Sequence, residues 1–137
     1  MNNQKLKNFF MFVQKLKIIN RKGWLIKTDI KKVESVADHS YSATTMAMVC
    51  SDILKLDTEK VMKMMLIHDL PESIIGDLLP GENPNKSREE NDAMIKIINN
   101  LPKEIQDDYI QEVLDGFDLC SVLVNKDSEY MNFKEEI

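Results

Sequence analysis

Only two histidines occur in this chain, and both lie beside carboxylates. His68 is followed directly by Asp69 in Met65-Leu-Ile-His68-Asp69-Leu-Pro71-Glu72-Ser-Ile-Ile-Gly76-Asp77, and His39 follows Asp38 in Glu34-Ser35-Val36-Ala37-Asp38-His39-Ser40. Imidazole nitrogens and carboxylate oxygens make a mixed donor set that suits Zn, Mn, Fe, Co or Ni, and ligand type alone does not choose among them. A divalent ion so held acidifies water and polarises a substrate oxygen, the two requirements of hydrolysis. Glu72 falls one helical turn beyond His68, so its carboxylate reaches the same space and can orient water or move a proton there. Each feature also has a plainer reading. A His-Asp pair alone fits a core histidine bonded to neighbouring backbone, and a first-turn glutamate fits simple stabilisation of a helix dipole.

The elements that must position these residues are helices. Thr58 to Leu66 is strongly helix-forming, and Pro71 disfavours its continuation, which leaves the His68-Asp69 doublet at a helix end. His68 continues the apolar row of Val61, Met64 and Met65 and is expected to point inward. Upstream, Glu34 or Ser35 caps a helix running to about Leu54, on which His39, Ala43, Met46, Cys50 and Ile53 share one face, the expected inward stripe. Asp57 or Thr58 caps the helix that leads to His68, with Glu59 in its first turn. A short helical turn through Glu72 to Ile75 is expected to stop at Gly76.

Three phrases, Arg21-Lys-Gly-Trp24, Glu34-Ser-Val-Ala-Asp-His39-Ser and His68-Asp69-Leu-Pro-Glu72 with Gly76-Asp77 after it, occur in this order. Together they resemble the HD-domain phosphohydrolases, and within them the 5'-deoxynucleotidase-like branch, from about Phe9 to Met131 and most weakly after Pro102. The resemblance implies an all-α fold, an HD-domain helical bundle of about six helices. It implies a divalent metal (Mn, Co, Zn, Fe or Ni) held by His39, His68, Asp69 and Asp127, with Glu72 as the residue required for hydrolysis. Arg21, Trp24 and Asp77 become substrate-binding residues. Arg21 would orient a phosphate through its planar fork, and Trp24 would pack where a ribose 2'-hydroxyl might otherwise fit. Without the resemblance these two read equally well as a surface cation and an aromatic plug. The spacing around Asp127 is one residue shorter than the family pattern, which makes Asp118 and Glu129 competitors for its role. Only ten residues follow Asp127, so the chain is expected to be short at its C-terminus relative to the family.

The activity this implies is metal-dependent release of phosphate from nucleoside 5'-monophosphates, with a deoxynucleotide preference as the finer expectation. Two alternatives stay open: an HD hydrolase of another phosphorylated nucleotide, and a nonenzymatic, truncated HD binding module. Relatives imply a homodimer.

The chain as a whole allows this. Its 137 residues, 43% of them hydrophobic, are expected to form a single domain over 1–137 with a core that needs neither disulfides nor structural metal. A net charge of -5 excludes the basic field of a polynucleotide-binding protein, while a metal and a few local cations still suit a small anionic nucleotide. Cys50 and Cys120 read as reduced packing residues. Gln14, Lys15 and Lys17 interrupt the apolar run from Phe9 too soon for a signal peptide, and no run approaches membrane-spanning length. A soluble, cytoplasmic protein with no membrane partner is expected.

The remaining segments read as a frame. Leu6, Phe9, Phe10, Val13 and Leu16 form the stripe of a first helix, and a loop from Asn20 to Val33 carries Arg21 and Trp24. Pro80, Gly81 and Pro84 mark a second loop, before a helix from Lys86 to Asn100 that buries Ala93, Met94, Ile97 and Ile98. Lys86 and Arg88 read either as phosphate-facing or as solvated helix-start cations. Pro102 opens a helix with Ile105, Tyr109, Val113 and Leu114 inward, broken near Gly116, and a last helix spans about Asp118 to Met131.

Overall fold

Side-chain caps fix where the helices begin. In the computed structural model, which describes residues 3–23, 33–79, 81–111 and 113, Ser35 Oγ accepts from the Asp38 amide at 3.1 Å. The Asp38 carboxylate accepts from the Ser35 amide at 3.0 Å, a reciprocal capping box. Asp57 caps the next helix by accepting from the Lys60 amide at 3.1 Å. The element order is α1 (Asn3–Lys15), a 3-10 turn (Leu16–Ile18), α2 (Val36–Leu54), α3 (Thr58–Ile67), α4 (Glu72–Ile75) and α5 (Lys86–Ile98). Residues 103–111 are helical again. Among the described residues there is no strand, only an isolated antiparallel bridge between Asn20 and Ser35. The fold is all-α, as expected.

Stops are equally local. Lys55 closes α2 in the left-handed region at φ 58°, and its amide donates to carbonyls of the last turn. Gly76 ends α4 at φ 78° with open space where a Cβ would stand, so backbone conformation rather than crowding is what favours glycine there.

One hydrophobic cluster joins α1, the start of α2, the end of α3 and α5. Val36 and Ile97 are fully buried at its centre, with Phe9, Leu16, Ile67 and Leu101 around them. The buried face of α5 is the expected one, Ala93, Met94, Ile97 and Ile98. Two other faces need correction. On α1, Phe9 is buried and Leu6 and Phe12 pack on the cluster, whereas Phe10 and Val13 are exposed.

On α2 the buried positions are Val36, Ser40, Thr44 and Ser51, while Met46, Cys50 and Ile53, read from sequence as an inward stripe, are exposed. The reason lies in the partner: α2 packs chiefly on α3. Short side chains let two helix backbones approach closely, and the hydroxyls of Ser40 and Ser51 donate back to the Val36 and Ala47 carbonyls at 2.9 and 2.6 Å, so their burial leaves no donor unpaired. Cys50 is therefore a surface thiol and not a packing residue. Farther on, Tyr109 and Val113 pack on the core as expected, but Ile105 is exposed. Trp24, Pro80, Leu114, Gly116, Asp118, Cys120, Asp127, Glu129 and the expected last helix lie outside the described residues.

Candidate active site

The packing of α2 on α3 brings the first turn of one helix to the last turn of the other. His39 follows the capping box of α2, and His68 is the C-cap of α3. Their imidazoles meet edge to face with ring centroids 6.0 Å apart. Asp69 Oδ2 lies 3.0 Å from His68 Nε2 and 3.8 Å from His39 Nε2, so one carboxylate oxygen faces both rings. One ligand atom from each of the three residues falls within 4.8 Å of the other two, a spacing and donor chemistry that fit a divalent cation.

Backbone geometry fixes the orientation of His68. Its Nδ1 lies 2.6 Å from the Met65 carbonyl. A carbonyl can only accept, so Nδ1 carries the hydrogen and Nε2 is turned toward Asp69. Pro71 then ends the connection, and α4 begins at once with Glu72, which keeps that carboxylate next to the pair.

The charges are interdependent. Burial pulls the His39 imidazole below its usual range, helped by the Arg21 guanidinium and opposed by the carboxylates of Asp69 and Glu34. For His68, burial acts the same way but is outweighed by the hydrogen bond and charge of Asp69, so its proton is held more tightly than usual. Burial alone would raise Asp69; the His68 hydrogen bond and the positive groups around it hold it below the ordinary carboxylate range instead. Glu72 is the outlier. Burial, with the negative charges of Asp69 and Asp77, pushes it up to about 8, against the opposing pull of Arg21 and Lys86.

Arg21 reaches the site through the loop that sequence reading assigned to it. The Val36 amide donates to Ile19 O at 2.8 Å and the Arg21 amide donates to Glu34 O at 3.1 Å, which ties the end of the first helical segment to the start of α2. The Arg21 guanidinium lies 3.9 Å from Glu34 Oε1, and its charge is felt at His39, Asp69 and Glu72. Asp77 anchors the same loop, since its Oδ2 accepts from the Lys22 amide at 2.6 Å. Lys22 Nζ bonds Glu82 at 3.1 Å, and Glu82 accepts from the Leu79 amide at 2.8 Å, so the two loops are laced together.

The structure thus gathers His39, His68 and Asp69, with Glu72 beside them and Arg21 and Asp77 close enough to act on the Glu72 carboxyl. Trp24 and Asp127 fall outside the described residues. Lys86 donates to Leu78 O at 2.7 Å and holds the Asp77 loop, whereas Arg88 is solvated and reaches only Asp92, at 4.0 Å. Sequence reading missed two participants. From sequence Glu34 reads only as a helix cap and Lys22 has no role; their one signal is that they lie within the Arg21-to-Trp24 and Glu34-to-Ser40 motifs. An open groove of about 880 Å³ lined by Lys5, Leu6, Leu101 and Pro102 shares no residue with the histidines, and the chemistry of the donor set outweighs its size.

Comparison with known proteins agrees with this arrangement. The family model described as HD domain matches residues 13–133. The 5'-deoxynucleotidase HDDC2 of Danio rerio is 42% identical over 92 residues, covering 65% of this chain and 45% of that protein. The 5'-deoxynucleotidase hdd1 of Schizosaccharomyces pombe is 38% identical over 96 residues, covering 68% of this chain and 48% of that protein. The chain therefore spans about half the length of the curated relatives it matches. A crystal structure from Magnetospirillum magnetotacticum, described as a predicted metal-dependent phosphohydrolase, is 28% identical with a TM-score of 0.65, covering 80% of this chain and 56% of that one. The family match spans both histidines, the doublet aspartate and most of the chain: this protein belongs to the HD-domain family.

Proposed function

We propose that this chain is a metal-dependent phosphohydrolase that releases phosphate from nucleoside 5'-monophosphates, with deoxynucleotides as the preferred class. The observation that carries the reading is the convergence of His39, His68 and Asp69, from two helices and the turn after them, onto one point. The relatives named as 5'-deoxynucleotidases support the substrate class.

In this reading His39, His68 and Asp69 would hold a divalent ion, with Asp127 proposed from the resemblance as a fourth ligand, and the ion would supply Lewis acidity toward a phosphoryl oxygen and acidify water. The chain's own residues do the rest. Arg21 clamps the phosphate with its planar fork, a geometry lysine cannot copy. Glu72 is placed to move the protons of the reaction: as a water oxygen bonds to phosphorus and the bond to the 5'-oxygen breaks, its carboxyl takes the water's proton and supplies one to the leaving 5'-oxygen. Asp77 fixes the Arg21 loop through the Lys22 amide, and the family resemblance makes it a substrate-binding residue. By the family resemblance, Trp24 is the residue proposed to discriminate at the ribose 2'-position.

Among the described residues no helix is long and apolar enough to cross a membrane. An exposed free thiol at Cys50 suits a reducing compartment, and we place the protein in the cytoplasm, as a homodimer. The test is phosphate release by metal-stripped protein from ribo- and deoxynucleoside 5'-monophosphates and from triphosphates, with Mn, Co or Zn restored singly. Release that needs metal and is lost in Asp69→Ala supports the reading. Preferred pyrophosphate release would move the substrate to another phosphorylated nucleotide, and tight nucleotide binding without turnover would make the chain a binding module.

A further inference from the structure

The two histidines of the site are oriented by different means. The Nδ1 of His68 is held by backbone, the Met65 carbonyl at 2.6 Å. Among the described residues, the His39 ring contacts side chains instead. Its Nδ1 faces a side chain, with Glu34 Oε1 at 3.8 Å, while its Nε2 faces Asp69 on the other side of the ring. The same Glu34 oxygen lies 3.9 Å from Arg21 Nη1, and the Glu34 carbonyl accepts from the Arg21 amide at 3.1 Å. Glu34 is only partly exposed, and the isolated bridge between Asn20 and Ser35 beside it fixes its backbone. One carboxylate therefore stands between the His39 ring, whose Nε2 faces Asp69, and the Arg21 guanidinium.

We propose that Glu34 is a positioning residue for both halves of the site: its carboxylate accepts the Nδ1 hydrogen of His39, which turns a bare Nε2 toward the cation, and it holds the Arg21 guanidinium in register with that cation. The proposal rests on the reading of His39 as a metal ligand. The physical need is specific. A neutral imidazole has one N–H, and if it sits on Nε2 it donates to Asp69 and occupies the space the cation requires. An acceptor on the Nδ1 side removes that competing arrangement, and such outer partners of ligating histidines contribute about 10–100-fold to metal affinity. The Glu34 to His39 separation of 3.8 Å is an ion-pair contact, longer than a hydrogen bond, and the proposed role requires it to shorten when Nε2 is committed to a cation.

The experiment compares the wild type with Glu34→Ala and Glu34→Gln, each shown by circular dichroism to be folded. Zinc affinity is read by competition with a chromogenic chelator, and the His39 tautomer in the metal-free protein by nitrogen-15 NMR above its titration. Glu34→Ala is expected to bind zinc about 10–100-fold more weakly and to move the His39 hydrogen from Nδ1 to Nε2. Glu34→Gln keeps an oxygen acceptor and is expected to restore the tautomer and most of the affinity. With zinc saturating, Glu34→Ala is also expected to raise KM for a nucleoside monophosphate more than it lowers kcat, because the Arg21 clamp has lost its brace. Wild-type protein that binds no zinc would overturn the cation site and this role with it. Normal zinc binding in the wild type, with unchanged affinity and tautomer in Glu34→Ala, would overturn the role of Glu34 alone. So would equal losses in both variants with the tautomer unmoved, since that is plain charge attraction.

Discussion

The rings of His39 and His68 stand 6.0 Å apart at 60° to each other, with a single oxygen of Asp69 facing the Nε2 of each. Two imidazoles and a carboxylate are thus assembled by the packing of two helices. A cation that binds the folded chain and not the unfolded one stabilises it by about 2.7 kcal/mol at a hundredfold excess over Kd. Manganese, cobalt or zinc added to stripped protein is therefore expected to raise Tm, and Asp69→Asn to abolish the rise. Differential scanning calorimetry across a metal titration checks this; an equal rise in Asp69→Asn would place the ion elsewhere.

Glu72 links catalysis to stability through its proton. Its folded pKa of about 8 lies above the ordinary value of 4.5, so between those values the unfolded chain has released a proton that the folded chain retains. The Glu72 contribution to the stability of the metal-free protein is full below pH 4.5 and is lost as pH rises toward 8, whereas the lowered Asp69 loses its contribution as pH falls below its ordinary 3.8. His68, raised like Glu72, loses its contribution as pH rises above its ordinary 6.5, while the lowered His39 opposes the trend below that value. Glu72→Gln carries no charge in either state. It is expected to flatten the fall in Tm from pH 6 to 8.5 and to be the more stable protein at the upper end. In the metal-loaded enzyme the same variant is expected to lose about 10²–10⁴-fold in kcat with little change in KM. Melting curves over pH and steady-state kinetics measure both; a variant with wild-type turnover would remove Glu72 from the mechanism.

Arg21→Lys keeps the positive charge and loses the fork. If the guanidinium clamps phosphate in two-point fashion, kcat/KM for a nucleoside monophosphate falls by about tenfold or more, mostly through KM, whereas loss of a bare positive charge would leave Lys close to wild type.

The capping box at Ser35 holds the turn that carries His39. Ser35→Ala removes the acceptor of the Asp38 amide and is expected to destabilise the fold by about 1 kcal/mol, a shift of a few degrees in Tm. Ile97→Ala, at a fully buried site in the centre of the core, is expected to cost about 2–5 kcal/mol without any change in donor geometry. Chemical denaturation ranks the two. A Ser35→Ala protein as unstable as Ile97→Ala would mean that the cap sustains more than one helix turn.

What the sequence by itself determined was local. Ser35 and Asp57 announce helix starts because their side chains satisfy amides within three residues, and Gly76 announces a stop because it tolerates φ 78°. The buried face of α5 was legible because one sharp apolar stripe, Ala93, Met94, Ile97 and Ile98, stands among charged neighbours. The His-Asp doublet at a helix end and the glutamate one turn on were legible for the same reason, as spacing along a single chain segment.

Tertiary structure decided the rest. On α2 the large apolar row through Met46 and Ile53 and the small row through Ser40, Thr44 and Ser51 both have helical period, and only the close approach of α3 selects the small one. Likewise, nothing in the order of residues says that Glu34 stands between Arg21 and His39, or that Lys22 offers its amide to Asp77. Periodicity records which side chains share a face. It does not record which face a neighbour will cover, or which distant loop will meet it, because those depend on backbone separations that form only when the helices pack.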